Sequence, residues 1–214
     1  MKVLITGSSS GIGKAIALKF LSEGHSVVGI DVLPATVKHK NYTHIVGDVC
    51  GELPDVNNVE VLVNNAGVQN SGRDIDVNLK GAIAVTEKYA IQPAIKSVVF
   101  IASASAETGS EFPEYAASKG GMVSYMKNVA LRIAKYGATS NSLSPGGVLT
   151  PLNQHVIDDP ELWRQVMDET PLRKWATVEE IAAWTYFVAV INKSMTAQNI
   201  LINNGEAAKA NFVW

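Results

Sequence analysis

Tyr115 and Lys119 stand four residues apart in the run Tyr115-Ala116-Ala117-Ser118-Lys119, so on a helix they share one face. A phenol beside an ammonium can move a proton. A free tyrosine ionises near pH ~10, and bringing it to about 7–8 takes roughly 3–4 kcal/mol. One ammonium about 4 Å away, at an effective dielectric of about 20, supplies about 4 kcal/mol. The magnitudes agree, which makes Tyr115 a candidate general base for oxidising an alcohol and general acid for reducing a carbonyl. Taken alone, such a pair is more often a packed ring beside a solvated lysine.

A second feature supplies the missing context. Thr6-Gly7-Ser8-Ser9-Ser10-Gly11-Ile12-Gly13 lies between the first apolar run and the first helical pattern. Glycines there permit a tight turn and let backbone approach a phosphate at a helix N-terminus. Asp31 follows Gly11 by 20 residues and closes the second run, where a dinucleotide fold places an acid on the adenosine ribose. The spacing is G-x-x-x-G-x-G, and Lys14 is followed by Ala15, so the turn is not a P-loop.

The elements that must position these residues alternate. Short runs, mostly β-branched, at 3–5, 27–30, 44–46, 59–63, 98–101, 140–143 and 200–202 read as strands buried on both faces. Helical patterns occupy 12–22, 77–90, 114–135, 160–169 and 178–192, the last opening on a capping box at Thr177 and Glu180. The pattern predicts an α/β fold with one doubly wound, Rossmann-like parallel sheet of about seven strands and helices on both faces. Residues 49–58 hold Gly51, Pro54 and Asn57-Asn58 and predict a loop. Ten extended residues span ~33 Å, and the crossover needs only about 22 Å.

Length and composition bound the rest. The 214 residues are 47% hydrophobic and 18% charged with a net charge of −2, which excludes disorder and gives no basic footprint for nucleic acid. No linker or composition shift divides the chain, so 1–214 reads as one domain. The apolar stretch 181–191 falls short of the ~18 residues of a membrane span. The N-terminal apolar run is too short for a signal core, so no membrane partner and a cytoplasmic location are expected. Cys50 is the single cysteine, and His25, His39, His44 and His155 lack metal spacing, so no metal is expected and the histidines read as surface or packing residues. Glu179-Glu180 and Asp158-Asp159 sit at helix starts, where acids serve the dipole.

In their order, these motifs resemble the short-chain dehydrogenase/reductase family over essentially the whole chain. The resemblance implies an NAD(P)-binding domain whose cofactor contacts come from Gly7, Ser9, Ser10, Gly11, Ile12, Gly13 and Asp31, then Asp48 and Val49 at the adenine. Asn65, Ala66 and Gly67 of Asn64-Asn65-Ala66-Gly67 would shape the adenosine side, while Pro145, Gly146, Val148 and Thr150 would receive the nicotinamide. It implies that Ser103 hydrogen-bonds the substrate oxygen, that Lys119 also holds the nicotinamide ribose, and that Asn78 supports a proton-relay water. With Asp31 and no Arg or Lys before Lys38, NAD is the expected cofactor, and the substrate a small alcohol/carbonyl pair.

The resemblance also marks 149–176 as a substrate lid, in which Trp163, Met167 and Trp175 read equally as core. It implies a homodimer or homotetramer, built on the apolar stripe Met122, Tyr125, Met126, Val129 and Ile133 with Ile83 and Val85, unless that stripe packs on the sheet. Three places depart from the family pattern. Asn65 to Asn78 is short, the 49–58 crossover is trimmed, and Ser103 to Tyr115 is 12 residues, which keeps Ser105 as a lesser candidate for the serine role. Two rivals remain: a dinucleotide-sensing or scaffold protein without turnover, and an NADH-dependent reductase of an imine or pteridine.

Overall fold

Seven parallel strands form one sheet in the order β3-β2-β1-β4-β5-β6-β7. The computed structural model describes residues 1–110 and 112–208; Glu111 and 209–214, the remainder of the expected 1–214 domain, lie outside the described residues. In chain order the elements begin β1 (Lys2–Thr6), α1 (Gly11–Ser22), β2 (Ser26–Asp31), β3 (Tyr42–Val46) and β4 (Val61–Asn64). A π-helical segment, Ile75–Gly81, runs into α2 (Ala82–Tyr89), followed by β5 (Ser97–Ile101), the short α3 (Ser105–Thr108), α4 (Pro113–Ile133) and β6 (Thr139–Pro145). Three outer helices then precede the last strand: α5 (Gln154–Ile157), α6 (Pro160–Glu169) and α7 (Val178–Tyr186), which continues into a π-helical Phe187–Ile191 before β7 (Asn199–Ile202). Each of the seven expected runs falls on a strand, and 49–58 contains no helix.

Two apolar layers hold the sheet. Ile16 and Phe20 of α1 and Ala182 of α7 pack on one face, against Val3, Ile5, Val61 and Val63. Val85 and Tyr89 of α2 and Met122, Met126, Val129 and Ile133 of α4 pack on the other, against Leu4, Leu62, Val98 and Phe100. Most of the stripe considered for subunit contact is therefore core, with Val85, Met126, Val129 and Ile133 fully buried and Ile83 and Tyr125 half-buried. Burying each such side chain contributes about 1.5–3 kcal/mol, so the stripe cannot turn outward to meet another chain. Tyr125, at its margin, donates to Glu87 at 2.7 Å, and Arg132 forks onto the same carboxylate, which ties α4 to α2.

The polar strand β6 sits between β5 and β7 with Ser140, Asn141, Ser142 and Ser144 all fully buried. Each finds a partner, as burial requires. Ser140 donates to the Met126 carbonyl, Asn141 to that of Met195, and Ser142 and Ser144 converge on Asn199 Oδ1 at 2.7 and 2.8 Å.

Candidate active site

The strand order reverses between β1 and β4, and a cleft of about 1350 Å³ opens there at the carboxyl ends of the strands. That is where open α/β sheets leave room for a ligand. The turn after β1 is held open by geometry only glycine tolerates well. Gly7 has φ +70°, and a Cβ on Gly13 would lie 2.0 Å from the Gly7 carbonyl oxygen. Asn65, just past β4, braces the same turn by donating to the carbonyls of Thr6 and Gly7 at 3.0 Å each. Thr6 Oγ1 in turn accepts from the amides of Asn65 and Ala66. The first turn of α1 thus faces the cleft with its free amides, a favourable seat for a pyrophosphate.

Asp31 ends β2 with both carboxylate oxygens fixed: Ser9 N donates to Oδ2 at 2.8 Å and Leu33 N to Oδ1 at 2.9 Å. Farther along, Asp48 accepts from Cys50 N at 2.9 Å and pairs with Arg73 at 3.3 Å. The Cys50 amide, with help from Arg73, holds its pKa below the ordinary value.

At the opposite end, α4 carries Tyr115 and Lys119 into the cleft and the end of β5 leads into Ser103. Lys119 Nζ donates to the Ile101 carbonyl at 2.9 Å and lies 5.7 Å from the centroid of the Tyr115 ring. Burial lowers the Lys119 pKa to about 8, against which the Asp74 carboxylate acts to raise it. Asp74 is itself buried and accepts from the amides of Asn70 and Ser71 and from the Ser71 hydroxyl. Ser103 lines the cleft and donates to Ser105 Oγ at 3.1 Å, while Ser105 lies behind it. This ordering places Ser103, rather than Ser105, against the open space.

Of the residues expected in the site, all line this cleft except Ser9, Gly13 and Asn78. Ser9 and Gly13 act through the turn, as described. Asn78, in the π-helical segment, accepts from Val68 N at 2.8 Å and donates to Val68 O and Ser118 Oγ. Its side chain is spent tying the 65–68 loop to α4, so its influence on the cleft runs through those groups.

The outer wall comes from 149–176. Leu162, Gln165, Val166 and Glu169 follow the i, i+3, i+4, i+7 rule and bring one face of α6 to the cleft. Asp159 caps that helix by accepting from the amides of Glu161 and Leu162. Trp175 lies so close to Gly147 that a Cβ there would be 1.9 Å from its Nε1, and it meets Trp163 edge-to-face at 5.1 Å. Trp175 therefore lines the cleft, and Trp163 supports it from behind.

Several residues at the site were not singled out from sequence. Glu206 presses its carboxylate on Gly146, and Arg73 lines the cleft beside Asp48. His155, read as a surface or packing residue, is in the outer wall. His44, read likewise, joins a network beneath the glycine turn with Tyr42 and Ser8. A period-two spacing on β3 was the available signal, because Tyr42 and His44 fall on one face.

The residues present fit a dinucleotide: glycine turn and helix N-terminus for the phosphates, a fixed carboxylate for a ribose, and a proton-handling group at the far end. A second concavity of about 680 Å³, at the opposite end of the strands near Met1, Glu60 and Lys96, has no such set. Among the described residues, no three His, Cys, Asp or Glu side chains converge to hold a metal ion, and no helix is long and apolar enough to cross a membrane.

Comparison with known proteins gives concordant relatives. A family model described as enoyl-(acyl carrier protein) reductase matches residues 53–206. The chain is 33% identical to a short chain dehydrogenase, adrF, of Penicillium roqueforti, over 75% of this chain and 74% of that protein. It is 27% identical to a glucose 1-dehydrogenase of Gluconobacter oxydans, over 99% of this chain and 93% of the relative. Among solved structures, the ligand-free aldohexose dehydrogenase of Thermoplasma acidophilum superposes with a TM-score of 0.85 at 26% identity, covering 100% of this chain and 96% of that one.

Proposed function

The chain belongs to the short-chain dehydrogenase/reductase family of oxidoreductases, and from that membership we propose that it is an NAD(H)-dependent enzyme interconverting a secondary alcohol and a carbonyl. The observation that carries this reading is the buried ammonium of Lys119 beside the Tyr115 ring, in the same cleft as Ser103. Keeping a lysine charged in that position costs stability, and groups perturbed in this way cluster at functional sites.

When bound, the cofactor supplies or accepts the hydride. The chain's own groups do the rest. Ser103 donates to the substrate oxygen, and Tyr115 Oη gives that oxygen its proton in reduction or removes it in oxidation. The Lys119 ammonium favours the phenolate state and, at the same time, reaches the nicotinamide ribose. Asn78 keeps the 65–68 loop and α4 in place around them.

NAD is favoured over NADP because Asp31 stands at the ribose with its charge held in place by two amides. A 2′-phosphate would meet that carboxylate with no Arg or Lys before Lys38 to neutralise it. The segment 149–176 acts as a substrate lid, with α6 and Trp175 as its inner surface. A cytoplasmic location agrees with a chain whose single cysteine, Cys50, is an exposed thiol. We also propose a homodimer or homotetramer, formed through the edge strand β7, where Leu201 is exposed, and the helix before it, where Trp184, Phe187 and Ile191 are exposed.

The test is a turnover screen with NADH and NADPH over carbonyl, imine and pteridine substrates, alongside direct cofactor binding. Reduction of a carbonyl, or oxidation of its alcohol, is the expected result. Tight binding with no turnover of any class would favour the sensor, and turnover of imines or pteridines alone would favour that reductase.

A further inference from the structure

Residues 32–41, which join β2 to β3, contain no helix. The strap that follows Asp31 is held instead by a relay of side chains. Tyr42 and His44 project from one face of β3. Tyr42 Oη lies 2.9 Å from Ser8 Oγ and 3.1 Å from His44 Nδ1, and His44 Nε2 lies 2.9 Å from the Leu33 carbonyl oxygen. A carbonyl only accepts, so the neutral ring carries its proton on Nε2 and accepts at Nδ1 from Tyr42. Tyr42 then accepts from Ser8. Each donor of this one-way chain has an acceptor. Burial pushes the Tyr42 pKa up, which keeps its hydroxyl a donor. Gly29 is in register with His44, and a Cβ there would lie 2.2 Å from Ser8 Oγ and 2.3 Å from Tyr42 Oη. The bare backbone at that point is what lets the two hydroxyls meet.

One end of the relay sits in the glycine turn and the other, Leu33, lines the cofactor groove. Ser8 is fully buried in the glycine turn. Leu33, whose carbonyl accepts from His44, gives its amide to Asp31 Oδ1. The circuit closes through Ser9, which donates its amide to Asp31 Oδ2 and its hydroxyl to the Leu33 carbonyl. Thr36 donates to the Ser9 carbonyl at 2.6 Å, which pins the strap a second time.

We propose that Tyr42 and His44 are positioning residues for the adenosine half of the dinucleotide, fixing the Leu33 peptide and through it the Asp31 carboxylate at the ribose. This rests on the reading of the cleft as a nicotinamide dinucleotide site. Neither side chain touches the cofactor. Their effect is to remove the freedom of a strap that would otherwise have to be ordered at the moment of binding, a cost that preorganisation avoids.

The experiment is titration of the purified full chain with NADH by fluorescence and with AMP by calorimetry. His44→Ala and Tyr42→Phe should each weaken NADH about tenfold, and AMP in the same proportion, because the loss lies in the adenosine half. His44→Gln, with an amide to donate to Leu33 and an oxygen to accept from Tyr42, should recover to within about threefold of the wild type. The Asp31→Ala/His44→Ala double variant should bind no more weakly than Asp31→Ala, since His44 acts through that carboxylate. Val46→Ala, on the same strand and exposed, should leave both affinities unchanged.

Unchanged affinities in His44→Ala and Tyr42→Phe would overturn the proposal. So would a His44→Ala loss that glutamine does not restore, or one that adds in full to Asp31→Ala, because both describe a merely weakened strand. Wild-type protein that binds neither NADH nor NADPH would overturn the functional reading and this proposal with it. Wild-type binding with insensitive variants overturns the relay alone.

Discussion

Lys119 Nζ donates to the Ile101 carbonyl at 2.9 Å, which fixes the ammonium at the end of β5, two residues before Ser103. The single hydrogen bond joins the helix that carries Tyr115 to the strand that leads to Ser103. It also explains why the lysine tolerates burial that lowers its pKa to about 8. At neutral pH the group stays mostly charged, as its proposed role requires.

That burial has a cost with a definite sign. Between about pH 8 and the ordinary lysine value the unfolded chain binds more protons than the folded one, so stability rises with pH through this window. Below it the full penalty, about 3 kcal/mol, is present. Lys119→Met should remove that penalty and forfeit about 1 kcal/mol of hydrogen bonding to Ile101. The expected net gain of about 2 kcal/mol raises Tm by about 4–8 °C, while turnover is lost. Thermal unfolding at pH 7 checks it; an unchanged or lower Tm would count against a strained, functional lysine.

The proton assignment separates three hydroxyls. Tyr115→Phe keeps the ring and its packing but removes the exchanging proton, so kcat should fall by about 10²–10⁴-fold with NADH affinity within about twofold. Ser103→Ala should lose turnover with cofactor affinity nearly kept, and Ser105→Ala, set behind the cleft wall, should lose much less. Steady-state kinetics with NADH titrations distinguish them. Most of the wild-type kcat surviving in Tyr115→Phe would remove Tyr115 from the chemistry.

Much of this arrangement was legible in the residues. Strands such as β1, β4 and β5 are buried along nearly their whole length, and continuous Val/Ile runs announce that directly. The polar strand β6 was readable only through its short 140–143 core, because its serines and asparagine are satisfied by partners on α4 and after α7 that no local pattern reveals. The helix stripe from Met122 to Ile133 shows the limit most clearly. An apolar face at helical spacing has the same sequence signature whether it meets a sheet or another subunit, and here the sheet takes it. His44 was missed because its partner Leu33 is eleven residues away and contributes only a carbonyl.

Asp74 should tune Lys119. Its buried carboxylate raises the lysine pKa against the effect of desolvation. Asp74→Asn removes that charge, so the lysine should lose its proton below about pH 8, and the alkaline limb of the pH–rate profile should move to lower pH. Titration of the lysine Nζ by NMR gives the same quantity without a substrate. An unmoved limb would separate Asp74 from the site and leave it only the turn at Asn70 and Ser71.

The proposed preference for NAD(H) rests on the Asp31 carboxylate. Asp31→Ala should weaken NAD(H) by about tenfold or more, and weaken NADP(H) less or improve it, because the lost acceptor served only the unphosphorylated ribose. The ratio of kcat/KM for the two cofactors is the measurement. Comparable wild-type values for both, or a ratio that Asp31→Ala leaves alone, would mean that discrimination lies elsewhere in the groove.

The open edge of β7 makes the last prediction. A sheet edge with free backbone groups invites another chain unless it is covered, and exposed apolar side chains beside it strengthen the attraction. Here Trp184 and Phe187 meet edge-to-face at 6.0 Å, with Ile191 and Leu201 also exposed, whereas the α4 stripe is consumed by the core. A second copy of the same chain brings the same apolar surface, so a two-fold contact buries both at once. Trp184→Glu with Leu201→Glu would then set charges against each other across the contact and release monomers. Leu18→Glu, equally exposed but on α1, should leave the oligomer intact. Light scattering at micromolar concentration reads the outcome, and a monomeric wild type would refute the assembly itself.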